Sequence, residues 1–445
     1  MQELRTYQIE DVQTILSHQL VLGIFSEQRT GKTPTVLSAI REQGLSTLLI
    51  VCPNSLKYNW LSECERWAEN YTSGVMDTWT LPQSQIVIVN YEKFSQKKTP
   101  ELLKQIKQRK FDCLVLDEAH RIKNRNAAVT KNIWQLHNIK HRLLLTGTPG
   151  HDTPEDMFML LKMLKPATYT SYWKWLDEWF QFKTIYTPHG QVRTPAGIKP
   201  SLRAKFAHEI STIAIQRKRS DVMDWAGEPD IIDIPLPVSK EQVKYLDELR
   251  KYYQVGEVIC QGELDRLIRY RQVCNMPALL GLKGTSPKED WLLQYIKENK
   301  DKHVLVFSNS RKTLERLQNS IETRCYCITG SVPPQRRQEL VSLFQAGKIN
   351  ILLLQTQACK EGLTLDRADA EIFYDAYPPA SDYLQAKDRM VPTKQENVKS
   401  QVVYRLYIKG TFDEVCYHMV DNHTKECDCI NNFRRYLNEQ ESQTT

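Results

Sequence analysis

CLVLDEAH, residues 113–120, is apolar from Cys113 to Leu116 and then turns acidic at Asp117 and Glu118. A strand with one wet face alternates polar and apolar residues. One that is apolar throughout is covered on both faces, as in a parallel sheet between helical layers. Ligands of open α/β sheets sit at the carboxyl ends of the strands, so both carboxylates stand where a ligand is expected. The pattern recurs at TLLIVC (47–52), IVIVN (86–90) and RLLLTG (142–147). After a gap it returns at HVLVFS (303–308), NILLLQT (350–356), EIFYD (371–375) and VVYRLY (402–407). Helical spacing fills the intervals, as in SRKTLERLQNSI (310–321) and QRRQELVSLFQ (335–345). The two groups of runs predict an α/β protein with two parallel-sheet lobes, over residues 1–165 and 301–430.

Residues 166–300 read differently, as helical and hairpin insertions leading into an inter-lobe linker. SYWKWLDEWFQF is helical and aromatic, while EQVKYLDELRKYY and ELDRLIRYRQV are charged and helix-prone. FKTIYTPHGQVRTPAGIKP instead holds β-prone residues around a His189-Gly190 turn, and predicts a β-hairpin. Residues 431–445 are expected to fray as a flexible tail.

The chain has 445 residues, 41% of them hydrophobic and 25% charged, which excludes wholesale disorder. No apolar run approaches the ~20 residues that span a bilayer. The start, MQELRTYQIE, lacks the apolar core of a signal peptide, so a cytoplasmic location is expected, in a bacterial or phage-infected cell. Eleven scattered cysteines argue for free thiols, and the C-x-C pairs Cys325/Cys327 and Cys427/Cys429 lack a second pair at zinc-ribbon spacing. The net charge of +7 is compatible with a polyanionic partner without proving one.

FSEQRTGKTPTVLSAI (25–40) carries the sharpest motif of the first lobe. Gly-Lys-Thr after a loop, opening a helix, is what a phosphate cradle requires. Backbone N–H groups of Arg29, Thr30, Gly31, Lys32 and Thr33 wrap the β-phosphate, and the helix N-terminus adds positive potential. Lys32 reaches the β/γ oxygens and the Thr33 hydroxyl holds Mg²⁺. Ser26 stands where a strict phosphate loop has its first glycine. Asp117 and Glu118 follow some 85 residues after Lys32. Asp117 suits Mg²⁺ bound through water, and Glu118 suits a base that orients and deprotonates the attacking water. His120 reads as a coupler between nucleotide and nucleic-acid sites. Thr146 and Thr148, in LLLTGTP (143–149), are placed to sense phosphate occupancy.

LRTYQ (4–8), TGKT (30–33), LLIVCPNSLKYNW (48–60), VNYEKF (89–94), DEAHRIKN (117–124) and LTGTP (145–149) resemble the ordered motifs of superfamily 2 helicases. PNSLKYNW and DEAHRIKN look specifically like the SNF2 (Swi2/Snf2) DNA translocases. Later segments agree in order: QRKRSDV (216–222), VLVFSNSRKTLERL, ITGSVPPQRRQELVSLFQAG, LLLQTQACKEGLTL, YDAYPPASDYLQAKDRM and KGTFDEVCYHMV. The resemblance implies two RecA-like lobes, ATP hydrolysis with Mg²⁺ in their cleft, and translocation on duplex DNA. It further implies that Gln8 reads adenine with Arg5 nearby. Arg389 is implied to reach the γ-phosphate, with Gln385 beside it, and a cation there would stabilise the charge of the transferring phosphoryl group. Asn54, Ser55, Asn59, Trp60, Ser308, Asn309, Thr356 and Gln357 match segments that touch a DNA backbone, and Thr146 and Thr148 are counted with them.

There are departures. Pro392 replaces the family's second arginine and Lys394 its glycine, leaving Lys387 and Lys394 as candidates for the second cation. Arg29 replaces a usual glycine. No chromatin-reading or zinc module is read in these residues, so a compact phage or bacterial repair helicase is expected rather than a nucleosome remodeller.

Basic stretches KQIKQRK (104–110), QRKRSD (216–221) and RLIRYRQ (266–272) read as solvated faces or phosphate contacts, with Arg266, Arg269 and Arg271 the strongest set. In the hairpin, Lys183, Arg193 and Lys199 are expected on phosphates and Tyr186 on an unpaired base. The expected function is an ATP-dependent translocase or helicase on duplex, forked or branched DNA, contacted mainly through its backbone by a monomer without membrane association. An ATP-gated DNA clamp or protein-displacing translocase that does not part strands is the alternative, and RNA unwinding a weaker third.

Overall fold

The computed structural model describes residues 3–150, 153–187, 190–223, 229–358, 365–377, 380–392, 400–422 and 429–442. The chain divides into two compact units, Met1–Asp224 and Trp225–Thr445.

In the first unit, α1 (Thr6–Ser17) precedes β1 (Val21–Ile24), α2 (Lys32–Gln43), β2 (Leu48–Cys52), α3 (Lys57–Trp67), β3 (Ser73–Val75) and β4 (Ile86–Asn90). Then come α4 (Thr99–Arg109), β5 (Cys113–Asp117), α5 (Ala128–Trp134), β6 (His141–Leu145), α6 (Phe158–Leu164) and α7 (Tyr172–Trp179). A hairpin of β7 (Phe180–Thr187) and β8 (Gly190–Ile198) follows, before α8 (Arg203–Ser211), β9 (Ala214–Ile215) and α9 (Arg219–Val222). The seven-stranded sheet has the order β3-β4-β2-β5-β6-β1-β9, every pair parallel.

Apolar runs produce this sheet because both of its faces are dry. Leu49, Val51, Val87, Val89, Leu114 and Leu116 enter one core. Leu48, Ile50, Ile86, Ile88, Cys113 and Val115 enter the other. Each fully buried aliphatic side chain contributes about 1.5–3 kcal/mol, so these strands hold the carboxyl-end crevice rigidly.

The second unit begins with β10 (Asp230–Leu236), α10 (Lys240–Tyr252), β11 (Gln254–Val255), β12 (Val258–Ile259), α11 (Glu263–Asn275) and α12 (Pro287–Glu298). It continues through β13 (Val304–Ser308), α13 (Arg311–Ser320), β14 (Cys325–Ile328), α14 (Pro334–Gln345), β15 (Ile351–Gln355) and β16 (Ala370–Phe373). α15 (Ala380–Lys387), β17 (Val402–Ile408), α16 (Phe412–Asp421) and α17 (Cys429–Ser442) complete it. Its six-stranded sheet runs β10-β17-β16-β13-β15-β14, again all parallel. A fully buried ion pair ties this unit together: Lys288 Nζ lies 2.6 Å from Asp413 Oδ2. The same ammonium donates to Asn275 Oδ1 and to the carbonyl of Tyr374, both at 2.9 Å.

Two expectations are corrected, and one strand was not read from the sequence. The presumed tail is helical through Ser442, because Phe433 and Leu437 of α17 are buried among Leu267, Val273 and Phe412. The stretch 166–300 is not a separate block: residues before Asp224 cluster with the first unit and those after with the second. β10 escapes sequence reading because Pro235 and the exposed Ile231 and Ile232 give it the mixed pattern of an edge strand. Among the described residues the nine cysteines form no disulfide, no three His, Cys, Asp or Glu side chains cluster as metal ligands, and no helix is long and apolar enough to cross a membrane.

Candidate functional site

β1 runs into the loop Phe25–Gly31, and α2 opens at Lys32. Gly31 has φ +72°, and a Cβ there would lie 2.1 Å from Gln8 Nε2. The left-handed backbone therefore favours glycine, and any side chain there would displace the Gln8 amide. Arg29 is also left-handed, at φ 66°. The Lys32 ammonium donates to the carbonyls of Ser26 (2.8 Å) and Glu27 (2.9 Å), and the Thr30 hydroxyl to that of Glu27 (2.8 Å). Thr33 sits half-buried in the first turn of α2.

α1 is bound to this loop through residues of LRTYQ. The Tyr7 hydroxyl donates to the Thr30 carbonyl at 3.0 Å. Gln8 accepts from the Arg5 amide at 2.8 Å and donates to the Gly31 carbonyl at 3.3 Å. On the other side the chain beyond β9 lies along the loop. Amides of Gly23, Phe25 and Glu27 donate to carbonyls of Ile213, Ile215 and Arg217 at 2.8–2.9 Å. The Arg217 amide donates to Ser26 Oγ at 3.1 Å, and the Arg219 amide to a Glu27 carboxylate oxygen at 2.6 Å. Ser26 thus has a physical reason to stand where a glycine usually does. Arg217, within the basic stretch 216–221, turns inward to Asp11 at 2.7 Å and Glu10 at 3.2 Å. Sequence reasoning missed this clamp, since nothing local pairs residue 26 with residue 217.

At the carboxyl end of β5, Asp117 accepts from the Trp60 indole at 2.8 Å and from the Glu118 amide at 2.9 Å. Its carbonyl accepts from the Tyr91 hydroxyl at 2.8 Å. Burial first, then the neighbouring Glu118 charge, push the Asp117 carboxyl up to about 7. Glu118 is left-handed at φ 49°, ψ 50°, the kind of observed backbone outlier that marks functional sites. His120 Nδ1 lies 3.3 Å from Glu118 Oε2 and 3.1 Å from the Thr146 hydroxyl. The Thr148 amide donates to that same hydroxyl at 3.1 Å. One chain of contacts therefore runs from Glu118 through His120 to Thr146 and Thr148.

In the second unit, Asp375 gathers the next group. It accepts from the Ser308 hydroxyl (2.7 Å), the Asn309 amide (2.8 Å), Asn309 Nδ2 (3.0 Å) and Asn275 Nδ2 (2.9 Å). Arg389 is buried, with Nε donating to the Gln385 carbonyl at 2.8 Å. Pro392 is buried and Lys387 half-buried; Lys394 and His189 lie outside the described residues.

The structure places the expected DNA contacts in differing surroundings. Trp60 is 1% exposed and committed to Asp117. Thr146 and Ser308 are fully buried in the bonds above. Thr356 is buried, so its hydroxyl faces the interior. Arg266 pairs with Glu263 at 2.9 Å and lies over the Tyr253 ring at 4.0 Å, which makes it a packing residue. Arg269 pairs with Asp265 at 3.0 Å, and Arg271 covers Tyr377 at 3.9 Å. Asn54, Asn59 and Gln357 are exposed, while Ser55, Thr148 and Asn309 are half-buried. In the hairpin, Lys183 is exposed, and Arg193 stacks on Phe182 at 3.7 Å. Lys199 instead caps α7 by donating to the carbonyls of Asp177 and Glu178. The side chain of Tyr186 is outside the described set.

The donor set fits Mg²⁺. Asp117 and Thr33 offer oxygen ligands, and one or two protein ligands suffice when phosphate and water complete an octahedron. A cation beside Asp117 would also restore the charge that burial opposes.

Residues 7–279 match the family model of the SNF2-related domain, and residues 287–391 that of the helicase conserved C-terminal domain. The mouse DNA annealing helicase and endonuclease ZRANB3 is 26% identical over 396 residues, covering 84% of this chain and 36% of that protein. The mouse SWI/SNF-related matrix-associated actin-dependent regulator of chromatin subfamily A member 1 is 26% identical over 460 residues, covering 92% and 42%. The human DNA excision repair protein ERCC-6 is 26% identical over 436 residues, covering 86% and 28%. The chain thus spans less than half the length of these relatives. A solved structure, the Sulfolobus solfataricus SWI2/SNF2 ATPase core in complex with dsDNA, aligns at 19% identity and TM-score 0.44 over 95% of this chain and 91% of that one. With the SNF2-related domain covering more than half of its residues and the helicase C-terminal domain following in order, the chain belongs to the SNF2-related family.

Proposed function

We propose that this chain is a DNA-stimulated ATPase that translocates on duplex DNA and remodels forked or branched DNA in repair, recombination or replication. The observation that carries the reading is Glu118, held in a left-handed backbone beside Asp117 at the carboxyl end of β5. The Gly31-Lys32 turn opening α2 follows β1, a strand of the same sheet as β5. The names of relatives that act in DNA annealing and excision repair point the same way.

Phosphoryl transfer needs positioning and charge stabilisation more than covalent chemistry. Lys32 leaves its loop carbonyls for the β/γ oxygens, and α2 directs its N-terminus at the phosphates. Mg²⁺, when bound, neutralises charge on those oxygens, with Thr33 and Asp117 as its protein ligands. Glu118 orients the water and takes its proton, and Arg389 supplies a cation to the transition state. Gln8 and Arg5 flank the adenine. Phosphate contacts come from Asn54, Asn59 and Gln357, which makes binding salt-dependent and largely sequence-blind.

Glu118 and Arg389 together favour turnover over passive clamping. The test is ATPase stimulation across single-stranded, duplex, forked and four-way DNA, with triplex displacement set beside strand displacement. Duplex stimulation with triplex displacement is expected. Absence of stimulation by every DNA would overturn the reading.

A further inference from the structure

We propose that a cavity of about 310 Å³ in the first unit, lined by residues from Arg125 to Trp173, receives one unpaired nucleotide of a DNA strand. The proposal rests on the reading of DNA as substrate and names a feature of that substrate.

The cavity lies where α5, α6 and the start of α7 meet, remote in sequence from the nucleotide loop. Arg125, Lys131 and Lys162 line it together with Trp134, Tyr172 and Trp173, and no Asp or Glu is among the lining residues described. Two of these cations, Arg125 and Lys162, are already ordered on rings. Arg125 lies 4.4 Å from the Tyr172 centroid and 5.4 Å from that of Trp173, and Lys162 Nζ lies 4.8 Å from the Trp134 ring. Of the two acidic residues nearby, Asp156 pairs with Lys123 at 3.6 Å, while the Glu155 charge acts on Tyr172 from outside the lining set. Trp173 remains 56% exposed, a large indole face at the mouth of a cationic recess.

Each of these features selects a nucleotide. A base stacks on an indole or guanidinium plane whatever its identity, and its phosphate needs a cation at the rim. The volume is near the lower end of ligand pockets, at ~300–1,000 Å³, enough for one nucleotide. It is too small for a partner helix of ~10–12 Å diameter. A paired base cannot enter, so the cavity selects unpaired strand. Its position suits that task. α7 has eight residues and so is about 12 Å long, with Tyr172 and Trp173 at one end and the root of the β7–β8 hairpin at the other. A base freed at the root of the hairpin lies one short helix away from the cavity.

The experiment compares the parent chain with Trp173→Ala, Trp173→Phe and the double variant Arg125→Gln/Lys162→Gln. The probes are a labelled oligothymidylate of about eight nucleotides, within the span of single-strand sites, a blunt duplex, and a glutamate-rich peptide bearing one tryptophan. Trp173→Ala and the double variant should bind the oligothymidylate about tenfold more weakly or worse. Trp173→Phe should recover most of the affinity, and blunt-duplex stimulation of ATPase should be unchanged in all. Unaltered oligothymidylate affinity in both variants overturns the proposal, as does competition by the acidic peptide, which would assign the cavity to a protein partner. If DNA fails to stimulate the parent ATPase while the variants still lose oligothymidylate binding, the cavity stands and the translocase reading falls. Matching melting temperatures across the variants exclude misfolding as the cause of any loss.

Discussion

Trp60 donates its indole N–H to Oδ2 of Asp117 at 2.8 Å, so the carboxylate expected to meet Mg²⁺ is steered by a buried ring. Without the metal, burial holds Asp117 well above the ordinary carboxylate range. The sign follows: the folded chain binds a proton here that the unfolded chain has released, so this group's contribution to stability falls as pH rises from about 4 to 7. Metal binding needs the opposite form. The Mg²⁺ concentration for half-maximal ATPase should therefore rise as pH drops from about 8 to 6. Trp60→Phe removes a bond that favours the charged form and should displace that acid limb further upward. Mg²⁺ titrations of ATPase at several pH values check both statements.

Lys32→Ala and Glu118→Gln should each reduce DNA-stimulated hydrolysis by about 100-fold or more, because cradle and base serve one transition state. Glu118→Gln should retain ATP binding. Steady-state turnover beside equilibrium binding of a labelled nucleotide is the measurement, and retained turnover in either variant removes the assignment.

Arg389→Ala should abolish turnover and leave ATP affinity within about tenfold, since a cation aimed at the transferring phosphoryl group acts chiefly on the transition state. Pro392→Arg should not add a second such cation. Pro392 is buried, and an arginine there would lower the melting temperature.

Replacing residues 185–197 by a short Gly/Ser linker should preserve duplex-stimulated ATPase and abolish unwinding or branch migration. Lys199 stays in place in that variant, because its cap on α7 is structural. Equal loss of both activities would mark the hairpin as a general DNA contact.

Lys288→Met should destabilise the second unit by about 3–5 kcal/mol, because it leaves Asp413 buried without its counter-charge. Lys288→Met combined with Asp413→Leu should recover much of that loss. Thermal or denaturant melts of the single and double variants decide it.

Sequence pattern revealed the central strands and the nucleotide residues because both follow local rules: dry strands are apolar throughout, and a phosphate turn needs Gly31 before Lys32. It failed where the deciding partner is distant. Trp60 carries the look of a nucleic-acid contact, yet its partner Asp117 lies 57 positions away. Arg266 is a different case, since its partner Glu263 sits one turn earlier and was readable as an i, i+3 pair. β9 has two residues, too few to show any period. The Arg125–Trp173 cavity was invisible for the same reason, since its aromatics and cations come from three segments, each of which alone resembles an ordinary helix surface.

The chain that leaves the first unit departs along β9, hydrogen-bonded at Gly23, Phe25 and Glu27 to the very segment that becomes the phosphate loop. In mechanical terms this is an anchorage. A pull on the connector beyond Asp224 along the strand direction would load these bonds together in shear and reach Ser26 and Glu27 first. Their carbonyls hold the Lys32 ammonium, so tension in the backbone and occupancy of the phosphate loop act on the same few atoms.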